Sequence, residues 1–286
     1  MLFRRYWIIL LLVFLSSYAG YLLRSKQATP EDVQTATLDS FARVQASKTL
    51  RCGYIELPPY LMRDPNSNAL SGFTFELTNQ MAKNLGWKID WMMPVLLGQE
   101  DTAMQSGAID AICGAQVPIN PRQALFLDHS LPYGLLPAFA YVRHDAAQKS
   151  LPELNDPSIT TSTMDGDISP ILRQNFLPMS KEHALPNNID PKQMSLDVMY
   201  GKADVALLDA PSFINFNKAY PSKLRRIETT PLAIYPMVIS VAKGESRLQK
   251  TISDTINYML GSGQITKIFS DYKLLELGVM PVANVS

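Results

Sequence analysis

The chain has 286 residues, of which 47% are apolar and 18% are charged. This length allows two domains or one two-lobed unit, and this composition is typical of a globular protein rather than a disordered, collagen-like or coiled-coil chain. Lys and Arg together number 26, as do Asp and Glu, so no positive field would attract a polyanion and nucleic acid is not an expected partner.

The first 23 residues have the pattern of an export signal or a membrane anchor. Two arginines precede an apolar run over residues 7–23, as an n-region precedes an h-region. Small residues before the end of this run allow cleavage after Ala19, while the run is also just long enough to remain as an anchor. Either outcome places the folded part in the periplasm, after a polar linker at residues 24–36.

Strands and helices are predicted to alternate from residue 37 onward. A short helix at 38–47 leads into the order strand, helix, strand, helix, strand at residues 49–55, 72–86, 87–95, 100–107 and 108–115. This alternation predicts a parallel sheet covered by helices.

The same order returns after residue 150. Strands are predicted at 158–163 and 203–210, and helices at 168–176, 191–201 and 211–221. Two extended apolar segments, residues 133–145 and 233–245, connect the two units, and two helices separated by GSG close the chain. One lobe would then be built from both chain ends, at 37–139 and 239–286, with the other lobe inserted at 140–238.

Several segments in this order resemble a known family. They are LRCGYIELPPY, GFTFELTNQMAKNLG, MQSGAIDAICGA, NPRQALFLDHSLPY, MYGKADVALLDAP and GSGQITKIFSDY. Together they are similar to the extracellular solute-binding proteins, family 3, of the amino-acid type that feed ABC importers, over about residues 37–275. The resemblance implies a periplasmic-binding-protein-like α/β fold of type II, in which two lobes joined by two hinge crossovers close on a solute.

The resemblance also implies the partners. We expect a monomer that binds a small polar ligand, an amino acid or a related amine or carboxylate, and delivers it to an ABC transporter permease in the inner membrane. No cofactor is expected, and the three histidines share no metal-ligand spacing.

Ligand-binding residues are expected in the loops that follow the strands, because open α/β sheets bind ligands beyond the carboxyl ends of their strands. Glu56 and Tyr60 follow the first strand. In one interpretation the Glu56 carboxylate and the Tyr60 ring contact the ligand. In the other, Glu56 is a solvated acid and Tyr60 packs in the core. The aromatic clamp that the family carries before the proline pair is replaced here by Leu57.

Arg122 matches the arginine with which the family grips a ligand carboxylate, a role that suits a planar guanidinium. The matching position depends on which neighbouring motif is used to align the sequence with the family. Alignment from the preceding DAI gives Arg122, and alignment from the PY that follows gives Gln123. The preceding loop lacks the hydroxyl residues common in the family, which leaves the Gln116 amide as a candidate partner for a polar ligand.

Asp209 matches the aspartate that pairs with a ligand ammonium, and it can equally cap the helix that follows. Asp165 is a further candidate, in an acidic turn with Asp167 where the family often has Gly-Thr-Thr. Together with Glu56, these carboxylates would make an acidic cleft for a ligand with more than one positive centre; the alternative for Asp165 and Asp167 is helix capping.

Two other functions remain as alternatives. Related clamps act as dehydratases, for which Glu56, Asp165 or His129 could transfer a proton, and a retained leader would favour an anchored sensor or accessory protein. Cys52 and Cys113 are expected in neighbouring strands, where a disulfide is conceivable and two buried free thiols are the preferred interpretation.

Overall fold

The computed structural model describes residues 39–282, which form a mixed α/β structure around one continuous sheet of ten strands. The strands are β1 (Thr49–Tyr54), β2 (Met62–Arg63), β3 (Leu70–Ser71), β4 (Lys88–Pro94), β5 (Ala111–Gln116), β6 (Leu127–His129), β7 (Gly134–Arg143), β8 (Thr160–Met164), β9 (Lys181–Leu185), β10 (Val205–Asp209), β11 (Leu224–Arg226) and β12 (Ala233–Ala242), of which β2 and β3 form a separate hairpin. The helices are α1 (Ser40–Ser47), α2 (Phe73–Asn84), α3 (Glu100–Gln105), α4 (Leu151–Leu154), α5 (Ser169–Phe176), α6 (Gln193–Met199), α7 (Ala210–Ala219), α8 (Ser246–Gly261) and α9 (Gln264–Asp271), with a 3-10 helix at Pro121–Leu125.

The first lobe is built on parallel strands in the order β4, β1, β5. Helix α2 connects β1 to β4, and α3 connects β4 to β5, so the predicted alternation of strands and helices is confirmed. Helices α8 and α9 return to this lobe and pack on α2. Their burial follows the apolar spacing of the sequence, with Leu248, Ile252, Ile256 and Met259 fully enclosed.

The second lobe has the same plan, with parallel strands in the order β10, β8, β9. Helices α5, α6 and α7 pack against these strands and enclose an apolar core that includes Met164, Val198 and Phe216. Five short strands, β2, β3, β6, β9 and β11, were not expected from the sequence. None has more than five residues, and β6, β9 and β11 pair with strands that are distant in the chain, so the local sequence does not predict them.

Strands β7 and β12 join the two lobes. They pair with each other antiparallel over residues 134–138 and 233–237. Beyond this region, β7 continues into the second lobe beside β10, and β12 continues into the first lobe beside β5. The expected two hinge crossovers are therefore confirmed, whereas the boundaries at 139/140 and 238/239 stay a prediction and fall within these two strands.

Cys52 and Cys113 form a disulfide, so the preferred interpretation of two free thiols was wrong. The two strands that carry them are adjacent and parallel, and Cys113 is directly opposite Tyr54. This register brings the two Cα atoms to 5.6 Å, within the range that a disulfide spans. The bond lies inside the first lobe, where both cysteines are fully buried.

The predicted leader (1–23) and linker (24–36) lie outside the described residues. Between residues 39 and 282, none of the helices combines the length and the apolar character that a membrane crossing requires.

Candidate ligand-binding cleft

A cleft lies between the lobes at the carboxyl ends of the strands. It has an outer compartment of about 190 Å³ and an inner one of about 40 Å³. The two compartments share five lining residues, namely Leu57, Leu97, Asp167, Ile168 and Asp209. Because these residues come from loops of both lobes, the two spaces form one cleft whose walls are mainly hydrocarbon.

Asp209 is at the end of β10 and both caps a helix and faces the cleft. Its Oδ1 accepts the Ser212 N–H at 2.8 Å, which caps α7, and its Oδ2 accepts the Ser212 hydroxyl at 2.7 Å. The same Oδ1 accepts the hydroxyl of Tyr60 at 2.5 Å, from the other lobe. The capping interpretation of Asp209 is therefore confirmed, and because the same carboxylate lines the cleft, its pairing with a ligand ammonium stays a prediction.

Tyr60 is fully buried and packs edge to face on Phe73. Burial and the adjacent Asp209 carboxylate raise the pKa of Tyr60 well above its usual value, so the hydroxyl stays protonated and donates. This hydrogen bond links the loop after β1 to the end of β10, and so joins the two lobes.

Asp167 faces the cleft from the turn before α5. It lines both compartments, and its Oδ2 accepts the Ser169 hydroxyl at 2.9 Å. Burial raises the pKa of Asp167 to about 6, although the N–H of Ile168 stabilises the charged form. Asp209 adds to the increase. The cleft thus holds two neighbouring carboxyl groups on the second lobe, both of which line both compartments.

Glu100 contributes a third carboxyl group, from the start of α3. It is buried, lines the inner compartment, and accepts the Gly98 N–H and the Gln123 amide, each at 3.2 Å. Burial raises the pKa of Glu100 above its ordinary value. Sequence reasoning missed Glu100, because an acid in the first turn of a helix is ordinarily read as a favourable charge at a solvated terminus.

Three of the expected site residues lie away from the cleft. Arg122 is exposed on the 3-10 helix, and Asp165 is exposed in the turn after β8. Glu56 forms an ion pair with Arg63, with 2.7 Å between Oε1 and Nε. None of the three lines either compartment.

Arg122 and Asp165 each have a neighbour in the sequence that is less exposed to solvent. Gln123 is buried and bonded to Glu100, whereas Arg122 beside it is exposed. Likewise Asp167, two residues after Asp165, lines the cleft. The acidic turn was recognised in the sequence, but which of its two aspartates faces the cleft depends on backbone geometry.

Gln116 is the last residue of β5 and is fully buried. Neither its amide nitrogen nor its amide oxygen has a hydrogen-bond partner among residues 39–282. It does not line the two compartments, which Val117 and Ile119 reach from the same loop. A ligand-binding role for Gln116 stays a prediction.

The two lobes are closed on each other at the rim of the cleft. The side-chain amide of Asn187, in the second lobe, donates to the Leu97 carbonyl of the first lobe at 2.7 Å. Beside this contact Gly98 and Gly166 meet backbone to backbone, and a Cβ on Gly166 would lie 2.3 Å from the Leu97 oxygen. The structure is thus the closed form of a two-lobed clamp.

A two-lobed α/β clamp with an enclosed, charged cleft is the architecture of a binding protein for small solutes. The chain belongs to the bacterial extracellular solute-binding proteins, family 3, whose family model matches residues 50–274.

Individual relatives are similar at low identity. The amino-acid-binding protein AabA of Dichelobacter nodosus is 24% identical over 216 residues, which cover 74% of this chain and 82% of that protein. The crystal structure of the ancestral amino acid-binding protein AncCDT-1, a precursor of cyclohexadienyl dehydratase, has a TM-score of 0.71 and 24% identity, covering 82% of this chain and 98% of that one. The cysteine-binding protein of Campylobacter jejuni has a TM-score of 0.70 and 18% identity, covering 82% and 93%. These structures share the fold, which agrees with the expected type II architecture.

Proposed function

We propose that this protein captures a small solute bearing an ammonium group between its lobes, outside the cytoplasm, and delivers it to an ABC transporter permease. The observation that carries the proposal is the pairing of Asp167 and Asp209 in an enclosed cleft. Two carboxylates of the same sign in partly apolar surroundings are costly unless a cation joins them. A bound ammonium group would remove that cost.

The relatives support this proposal. Both AabA and AncCDT-1 are described as amino-acid-binding proteins, and an amino acid carries an ammonium group. The closed lobe contacts support capture by closure, because Tyr60 can reach Asp209 only when the lobes meet. Ligand binding would then shift the population toward the closed form.

Thermal unfolding in the presence of amino acids and amines tests the binding step. A bound solute should raise the Tm by an amount that grows with its concentration. Asp167→Asn should remove most of the increase, while Asp165→Asn should not, because Asp165 lies outside the cleft. An equal response of both variants would contradict the proposed site.

Delivery is tested in cells. A strain lacking this protein should lose high-affinity uptake of the solute identified by thermal unfolding, and the gene for the full chain should restore it. Unchanged uptake would contradict the transport role and leave the binding role standing.

An enzyme on the same fold is the alternative. Glu56, Asp165 and His129 were the expected proton-transfer groups, and none of them lines the cleft. His129 instead bonds to Ser240, at 2.8 Å between Nδ1 and Oγ. Recovery of the solute unchanged after prolonged incubation, measured by NMR, would support binding, whereas its conversion would support the enzyme.

A further inference from the structure

We infer that the solute is an aliphatic amine without a carboxylate group, with two positive centres, rather than an amino acid. This inference rests on the proposed function and concerns the ligand class of the same cleft. Its basis is the set of charges that line the cleft, the acids beside the two helix starts and the position of Arg122 outside the cleft.

The charges that line the two compartments are mostly negative. Among the described lining residues, the acids are Glu100, Asp167, Asp190 and Asp209, and the only base is Lys192. Lys192 and Asp190 form an ion pair at 2.7 Å with both side chains more than half exposed, so they neutralise each other at the rim. Three carboxyl groups remain without a cationic partner, and an added carboxylate would meet like charge.

Each of the two helix starts at the cleft has a carboxyl group of the chain beside it. The N-terminus of α7 is capped by Asp209, whereas Asp167 lies in the turn before α5 and bonds to the Ser169 hydroxyl without capping that helix. A helix N-terminus can bind an anion through its free N–H groups and its dipole. The α7 terminus is therefore occupied, and at the α5 terminus the carboxylate of an amino acid would meet the like charge of Asp167.

The guanidinium expected for a ligand carboxylate is also outside the cleft. Arg122 is exposed, and Gln123 beside it is the buried residue. The Gln123 amide donates to Glu100, and its Oε1 is a buried acceptor with no donor among residues 39–282. Gln123 lines neither compartment, so it affects the solute only through Glu100, the carboxyl group to which it is bonded.

The shape of the cleft fits a short hydrocarbon body with charged ends. Apolar side chains line the outer compartment, among them Leu57, Met194, Leu208 and Phe216. The inner compartment, of about 40 Å³, has room for an ammonium group beside Asp167, Asp209 and Glu100. A solute with two positive centres would balance the charge of two of these three carboxyl groups.

Matched pairs that differ only by the carboxylate test this inference. The binding of cadaverine is compared with that of lysine, and agmatine with arginine, by isothermal titration calorimetry on the protein at pH 7.5. We expect each amine to bind at least tenfold more tightly than its amino acid. Asp167→Asn should weaken cadaverine binding at least tenfold, and the matched control Asp165→Asn should leave it within twofold.

The outcomes separate the inference from the proposed function. Tighter or equal binding of the amino acids would overturn the inference and leave the proposed function in place. Loss of cadaverine binding in Asp165→Asn but not in Asp167→Asn would overturn the assignment of the cation to the cleft. Absence of binding by all four compounds would contradict both the inference and the proposed ammonium-bearing solute.

Discussion

Gly98 and Gly166 meet across the mouth of the cleft, one from each lobe. A Cβ on Gly98 would lie 2.8 Å from the Gly166 Cα, and both residues have left-handed backbone conformations, with φ of 78° and 76°. Glycine is therefore required at both positions for two reasons: the positive φ angle and the short distance to the backbone of the other lobe. The contact sets how far the lobes can close.

Gly166→Ala should hinder closure. The new Cβ would lie 2.3 Å from the Leu97 carbonyl oxygen, so the lobes would have to separate. We expect small-angle X-ray scattering to give a larger radius of gyration for this variant and solute binding to fall at least tenfold. Gly107→Ala is the control, because Gly107 has a similar φ of 70° with no atom near its Cβ position. Equal effects in both variants would assign the loss to backbone strain alone.

Tyr60→Phe should weaken the closed form while leaving the ring in place. The change removes the hydrogen bond to the Asp209 carboxylate, and a hydrogen bond to a charged group contributes about 1.5–3 kcal/mol. We expect a loss of this size in the free energy of unfolding, measured with urea. Tyr133→Phe serves as control, since the buried Tyr133 hydroxyl has no partner among the described residues and its loss should cost little. A similar loss in both would contradict a specific role for Tyr60.

Asp167→Asn should raise the stability of the unliganded protein at pH 7. The folded state holds the Asp167 proton more tightly than the unfolded chain, because its pKa is raised from 3.8 to about 6. Stability is therefore lost as the pH rises from about 4 to about 6, and Asn avoids this loss. The nearby charge is Asp209, while the Tyr60 and Tyr235 hydroxyls are neutral over this range.

The size and pH dependence of this difference are measurable by thermal unfolding. We expect a higher Tm than that of the wild type at pH 7, by about 2–4 °C for each kcal/mol of stability gained, and no gain at pH 4. Asp165→Asn, an equal change of charge in an exposed position, should show no such dependence. A gain for Asp167→Asn that is the same at both pH values would contradict the pKa assignment.

Reduction of the disulfide should destabilise the first lobe. The Cys52–Cys113 bond closes a loop with a sequence separation of 61 residues, and native disulfides of this kind contribute about 2–4 kcal/mol. Urea unfolding with and without a phosphine reductant should show this difference. The double variant Cys52→Ala, Cys113→Ala should not respond to the reductant. A reduced wild-type protein of unchanged stability would contradict the prediction.

The fold was predictable because its long elements follow simple periodicity, and the family motifs fix their order. Strand adjacency in the first lobe even placed Cys52 beside Cys113, although the sequence could not decide whether they are bonded. The site was less predictable. Whether Arg122 or Gln123 faces inward depends on the rotation of one short 3-10 helix, and the partner of Tyr60 is 149 positions away in the chain.

The paired hinge strands also carry two prolines, Pro137 in β7 and Pro236 in β12. Neither proline can donate an N–H to a further strand, and over residues 134–137 and 233–237 the two strands pair mainly with each other, so the sheet is narrower here than on either side. Bending will therefore concentrate where the chain crosses between lobes. A substitution at either proline could then change the affinity for the solute without contacting it, by shifting the balance between open and closed molecules.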